Sequence, residues 1–101
     1  MSNINVRNLS GDTALHIAII NDYNKIVKIL LDNNVNIEIA NKQGLRPLHL
    51  AVIKENIEIV RILLKKGAFK DVKDKKNSTP LHYAFQSGNN KIIELLLKTK
   101  Y

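Results

Sequence analysis

One short stretch occurs three times in this chain, at a constant spacing of 33 residues. It reads Thr13-Ala14-Leu15-His16-Ile17-Ala18, then Arg46-Pro47-Leu48-His49-Leu50-Ala51, then Thr79-Pro80-Leu81-His82-Tyr83-Ala84. A fixed period of this length constrains the fold more than any composition does. Each repeat is one supersecondary unit that leaves an apolar face open, and stacking of neighbours closes it. Residues 8–40 and 41–73 share 11 identities in 33 positions. These fall on Leu15 and Leu48, Ala18 and Ala51, and the pairs Leu30-Leu31 and Leu63-Leu64, with Leu81, Ala84 and Leu96-Leu97 continuing the series. Apolar and small residues at matched positions are what a shared packing role requires. The expected division is a partial N-terminal hairpin segment at 1–7, then repeats at 8–40, 41–73 and 74–101, the last one shortened.

Each repeat reads as turn, short helix, turn, longer helix. Gly11 and Gly44 occupy a loop position suited to positive φ, with Asn77 as the third member. Thr13 and Thr79 stand where an N-cap hydroxyl accepts backbone N–H groups, and Pro47 and Pro80 stand at the first helical position. Arg46 lacks the hydroxyl, which predicts a cost of about 1 kcal/mol in the middle repeat. The first helices are expected at 14–21, 47–54 and 80–87, the second at 24–33, 57–66 and 90–99. Leu48, Ala51 and Val52 form an inward stripe, as do Ile59, Ile62 and Leu63, widened by Val60 and Leu64. Glu58, Arg61 and Lys65 take the solvated side. Asn34, Gly67 and Lys100 follow the second helices.

The motif, the period and the helix lengths together resemble the ankyrin repeat over nearly the whole chain. The resemblance implies an all-α solenoid of helix-turn-helix pairs linked by β-hairpin loops. It also implies a non-enzymatic protein-binding module without a cofactor. Such modules bind through hairpin tips and the concave surface of the first helices. Carried over residue by residue, the hairpin-tip positions are Leu9, Ser10, Asp12, Lys42, Gln43, Leu45, Lys75, Lys76 and Ser78. The concave first-helix positions are Ile20, Asn21, Ile53, Lys54, Gln86 and Ser87. The chain departs from the family pattern at Asp22 and Glu55, which replace a glycine between helices, at Phe69, which replaces a polar residue, and at Arg46.

The 101 residues contain no cysteine, which excludes disulfides, thiolate metal sites and a thiol nucleophile. No apolar run approaches the roughly 18 residues of a membrane span. Met1–Asp12 carries no signal-like apolar run, so the expectation is an intracellular protein, cytoplasmic first and nuclear as the alternative. The net charge of +7 is uneven: residues 1–40 hold three basic and four acidic groups, residues 41–73 hold eight and three. Two sources account for this, an anionic partner or a bias toward Ile, Asn and Lys, which make 40 of the 101 residues.

Four constellations invite a function. The three histidines, His16, His49 and His82, do not suit a metal. Equivalent residues on stacked helices stand about 8–10 Å apart, whereas zinc needs nitrogens about 2 Å from one ion. Their expected role is structural, tying repeats together through backbone bonds. Ser10, Asp12 and His16 have the residue types of a triad, but nothing arranges them as one. The stretch from Lys65 to Lys76 reads as a basic finger of Lys65, Lys66, Lys70 and Lys73 around Phe69. Its lysines suit weak, salt-sensitive polyanion binding or an acidic surface, or else a solvated loop with Phe69 folded against a helix end. Ile20 and Ile53, 33 residues apart, form a candidate apolar stripe. The ends of the stack show no polar capping helix, and the further expectations are a marginal domain, a structural role by self-association, or a repeat segment of a larger ankyrin protein.

Overall fold

The computed structural model of the chain describes residues 4–99. Among them are six helices: α1 (Ala14–Ile20), α2 (Asn24–Asp32), α3 (Pro47–Ile53), α4 (Ile57–Lys65), α5 (Pro80–Ser87) and α6 (Asn90–Lys98). Each falls within one residue of its expected span. They pack as three pairs, α1 on α2, α3 on α4 and α5 on α6, and the pairs stack. The short helices α1, α3 and α5 lie side by side in one row, and α4 packs on α6 in the other. Residues 1–3, Lys100 and Tyr101 lie outside the described residues, and with them the expected place of Lys100 after α6.

The short helices start as the motif requires. Thr13 and Thr79 cap α1 and α5, their hydroxyls accepting from the amides of His16 and His82. The return bond is made by histidine: Nδ1 of His16 accepts the Thr13 amide at 3.1 Å. A histidine thus takes the part that Glu or Gln plays in the usual capping box. Arg46 supplies no side-chain cap to α3, although its amide still donates to His49 Nδ1 at 3.1 Å. Its guanidinium instead pairs with Glu38 at 3.2 Å. Two long helices have a different cap: for α4 and α6 the Asn56 and Asn89 side chains accept from the Ile59 and Ile92 amides, whereas α2 follows Tyr23 and has no side-chain cap.

Position in the stack decides burial. Leu48, Ala51, Val52, Ile59, Val60, Leu63 and Leu64 of the middle pair are all buried, and Ile62 is half-buried. Equivalent residues diverge at the ends. Ile26 is 47% exposed, whereas Ile59 and Ile92 in the same register are at 0%. Leu97 is 62% exposed, whereas Leu31 and Leu64 are at 4% and 8%. The first position packs toward the preceding pair and the second toward the following one, so each lacks cover at one end. Fully burying such a side chain is worth about 1.5–3 kcal/mol.

Two substitutions in the turns between helices follow the same logic. Asp22 and Glu55 adopt φ of 57° and 54°, where glycine is favoured. Their carboxylates reach the next pair, accepting from Asn56 at 3.3 Å and Asn89 at 3.0 Å. Gly88, the third member, sits in the last pair, where no described helix follows.

Candidate functional site

The hairpins before and between the pairs carry no strand among the described residues. Each is shaped by one polar side chain that folds back on its own loop. Asn8 Oδ1 accepts from the amides of Ser10 and Asp12 at 3.0 and 2.9 Å. Asn41 Oδ1 accepts from Gln43 and Leu45 at 3.0 and 2.9 Å. Asp74 Oδ1 accepts from Lys76 and Ser78, both at 2.9 Å. Asn and Asp suit this bonding because the short side chain substitutes for a backbone acceptor. Residues 8, 41 and 74 are 33 apart, a periodic signal that lies outside the Thr-Pro-Leu-His stretch.

Neighbouring hairpins then lock together. The Lys42 amide donates to the Ser10 carbonyl and the Lys75 amide to the Gln43 carbonyl, each at 3.0 Å. Close approach makes glycine necessary at Gly11 and Gly44, with φ of 78° and 80°. A Cβ on Gly11 would lie 2.8 Å from the Lys42 nitrogen, and one on Gly44 would lie 2.8 Å from the Lys75 nitrogen. Asn77 holds the same geometry at φ 63° in the last described hairpin.

The aligned tips and the short helices enclose two adjoining bays. The first, of about 380 Å³, is lined chiefly by Leu9, Ser10, Asp12, Ile20, Lys42 and Leu50. The second, of about 220 Å³, is lined by Asp74, Lys75, Lys76 and Tyr83. Lys42, Gln43 and Leu45 line both, so the middle hairpin is a shared wall and the bays form one groove.

The groove floor is held by polar contacts between units. His16 Nε2 donates to the Leu45 carbonyl and His49 Nε2 to the Ser78 carbonyl, both at 3.0 Å. Since Nδ1 already accepts a backbone N–H, Nε2 carries the hydrogen in the neutral ring. Burial lowers both imidazole pKa values from 6.5, outweighing the opposing effect of the carbonyl bonds. Asp74 is buried, which disfavours its charge. Bonds from the Tyr83 hydroxyl and the Ser78 and Lys76 amides outweigh that and hold its pKa below 3.8. The Tyr83 hydroxyl, which donates to Asp74, is correspondingly harder to ionise, its pKa raised above 10.0. The Tyr83 ring also meets His49 edge-on, with centroids 6.1 Å apart.

A family model of ankyrin repeats, in three copies, matches residues 1–74 and 37–101. The chain belongs to the ankyrin repeat family. Ankyrin repeats are generally protein–protein interaction modules. No curated protein matches the chain.

Within this ankyrin groove, the expected hairpin residues divide by their own bonding. Leu9, Ser10, Lys42, Gln43, Lys75 and Lys76 are exposed. Asp12, Leu45 and Ser78 are half-buried and partly committed: Asp12 accepts from Asn41 at 2.9 Å, and the other two supply the carbonyls that the histidines bind. Of the concave residues, Ile20 lines the first bay. Asn21, Ile53, Lys54, Gln86 and Ser87 are exposed but line neither bay, lying at or next to the C-terminal ends of α1, α3 and α5. Leu50 and Tyr83, each directly after a histidine, line the groove and were not expected there.

Three expectations need correction. His82 ties no units together among the described residues: it is exposed and bonds only its own cap, Thr79, whose amide reaches Nδ1 at 2.9 Å. No described residue offers it the hairpin carbonyl that His16 and His49 reach. Lys70 is not part of an exposed basic finger. Its ammonium donates to the Leu96 carbonyl at 3.2 Å and to the Thr99 carbonyl, covering the C-terminal end of α6. Phe69 is not folded against a helix end. It is 61% exposed, and its amide is held by Glu38 Oε2 at 2.9 Å. Lys65, Lys66 and Lys73 remain exposed, while Lys75 and Lys76 belong to the groove, so the basic stretch is not one surface. Among the described residues no three His, Asp or Glu side chains are grouped to hold a metal ion. No described helix is long and apolar enough to cross a membrane.

Proposed function

We propose that this chain is a non-enzymatic module that binds a protein partner in the groove between its hairpin tips and short helices. The carrying observation is the pair of bays sharing the middle hairpin, with Leu9 90% exposed at the mouth of the first. Exposed apolar surface rimmed by polar side chains at a recess marks an interaction site. An intracellular site of action, in cytoplasm or nucleus, accompanies this reading. Affinity purification with lysine cross-linking tests it. Cross-links at Lys42, Lys75 and Lys76 support it; cross-links confined to Lys25, Lys28, Lys91 and Lys98 on the long helices overturn it.

A second reading is self-association through the end faces. It is favoured by Phe85 and Leu97 at one end and Ile26 at the other, all exposed although their register is buried elsewhere in the stack, and by Ile29 beside Ile26, exposed where Ile62 is half-buried. Light scattering over a concentration series tests it, and a monomer throughout rejects it.

A further inference from the structure

We infer that the groove is polarised for an extended peptide segment of the partner, with apolar side chains over the first bay and carboxylates over the second. This rests on the groove being the partner surface and adds the chemistry and direction of what fills it. The first bay sets Leu9, Ile20, Leu45 and Leu50 against Lys42 and Asp12, whose charges offset. The second bay sets Lys42, Lys75 and Lys76 around Tyr83 and Leu45, with Asp74 as its only acid. That carboxylate is buried, and both its oxygens are occupied by Tyr83, Lys76 and Ser78. The lysine side chains at 75 and 76 are exposed, so positive charge faces the opening. The same tip position reads Leu9, Lys42, Lys75 along the stack, and the next reads Ser10, Gln43, Lys76. Charge therefore rises in one direction and apolar exposure in the other.

The second bay suits carboxylates on a peptide better than a nucleic acid. It has no arginine for planar, bidentate phosphate contacts. It has a single aromatic ring, tethered to Asp74 through its hydroxyl, rather than the series of rings on which successive bases stack. Adjacent units stand about 8–10 Å apart, so Leu9 and Lys75 are roughly 16–20 Å apart along the groove. An extended chain covers that in about five or six residues.

Selection of a random peptide library, about 12 residues long, displayed on phage against the whole chain tests the inference. Enriched peptides are expected to carry an apolar cluster and an acidic cluster about five or six residues apart. Synthetic versions should lose at least about tenfold in affinity against Lys75→Glu/Lys76→Glu, less against the milder Lys75→Gln/Lys76→Gln, and weaken with salt. Leu9→Ser should weaken them without changing the salt dependence. A nitroxide on the apolar end should broaden the NMR methyl signals of Leu9 and Ile20 more than the ring signals of Tyr83. No enrichment, enrichment of basic or uncharged peptides, the reverse order of broadening, or preferential binding of heparin or oligo-dT overturns the inference. Peptides that occupy the groove yet ignore both lysine variants overturn the polarity alone. Peptides that cross-link only to Lys25 or Lys28 overturn the groove reading with it.

Discussion

His16 Nε2 stands 3.0 Å from the carbonyl oxygen of Leu45, a residue 29 positions later in the next unit. The ring is therefore a strut between units. One nitrogen accepts from the amide that begins its own helix, and the other donates to the following hairpin. The first bond requires the neutral imidazole, because a protonated Nδ1 has no lone pair for the Thr13 amide, whereas the Nε2 donation persists in either form.

The protonation requirement predicts acid sensitivity. Burial lowers the folded pKa of His16 and His49 from 6.5, so the unfolded chain binds more protons below that value. Their contribution is complete above 6.5 and is lost as pH falls through the folded values. Asp74, also lowered, adds a second loss at more acid pH, below 3.8. Urea titrations from about pH 7.5 to 5 should show falling stability that flattens in His16→Gln/His49→Gln. An unchanged slope in that variant rejects the strut as its source.

The histidines should not be equivalent. His49→Ala removes a buried strut and leaves the Ser78 carbonyl without its partner, a loss of about 2–4 kcal/mol. His82→Ala removes only a contact within its own cap, a loss of about 1 kcal/mol or less. Denaturant midpoints of the two variants decide it; equal losses would mean that the inter-unit bond contributes little.

Hairpin locking gives a sharper contrast. Gly44→Ala meets both unfavourable φ and a nitrogen 2.8 Å away, and should cost on the order of 3 kcal/mol. Gly88→Ala meets unfavourable φ with open space around it, and should cost about 1 kcal/mol. Thermal unfolding of both separates strain within one residue from collision with the next unit. Comparable losses would show that the hairpins separate readily.

Restoring the missing cap is the fourth test. Arg46→Thr gains a hydroxyl for α3, worth about 1 kcal/mol, and loses a partly exposed ion pair with Glu38 worth about 0–1 kcal/mol. The expected net is a gain of about 0.5 kcal/mol in denaturant titration. A loss would mean that the Arg46–Glu38 pair, which also sits beside the Phe69 amide, outweighs the cap.

Much of the architecture was legible in residues 33 apart. Thr13, Pro47 and Pro80 mark helix starts through local chemistry that depends on nothing distant, and the stripe of Leu48, Ala51 and Val52 marks a buried face by periodicity alone. The turn-forming series Asn8, Asn41 and Asp74 was equally periodic, but its identity changes from Asn to Asp, and it lies outside the Thr-Pro-Leu-His stretch. The site was harder to read. Lys70 and Lys75 look alike in a lysine-rich stretch, yet one ammonium covers a helix end and the other side chain faces the groove.

The sequence by itself determined the repeating unit, its period, its helices and its family, because those depend on contacts within a unit or between identical registers. Tertiary structure decided what the same letter does at different heights in the stack. Histidine is a strut at 16 and 49 and an exposed cap at 82, and isoleucine is exposed at 26 and buried at 59 and 92. A periodic sequence specifies which faces are sticky, but only the presence or absence of a neighbour fixes which of them are covered.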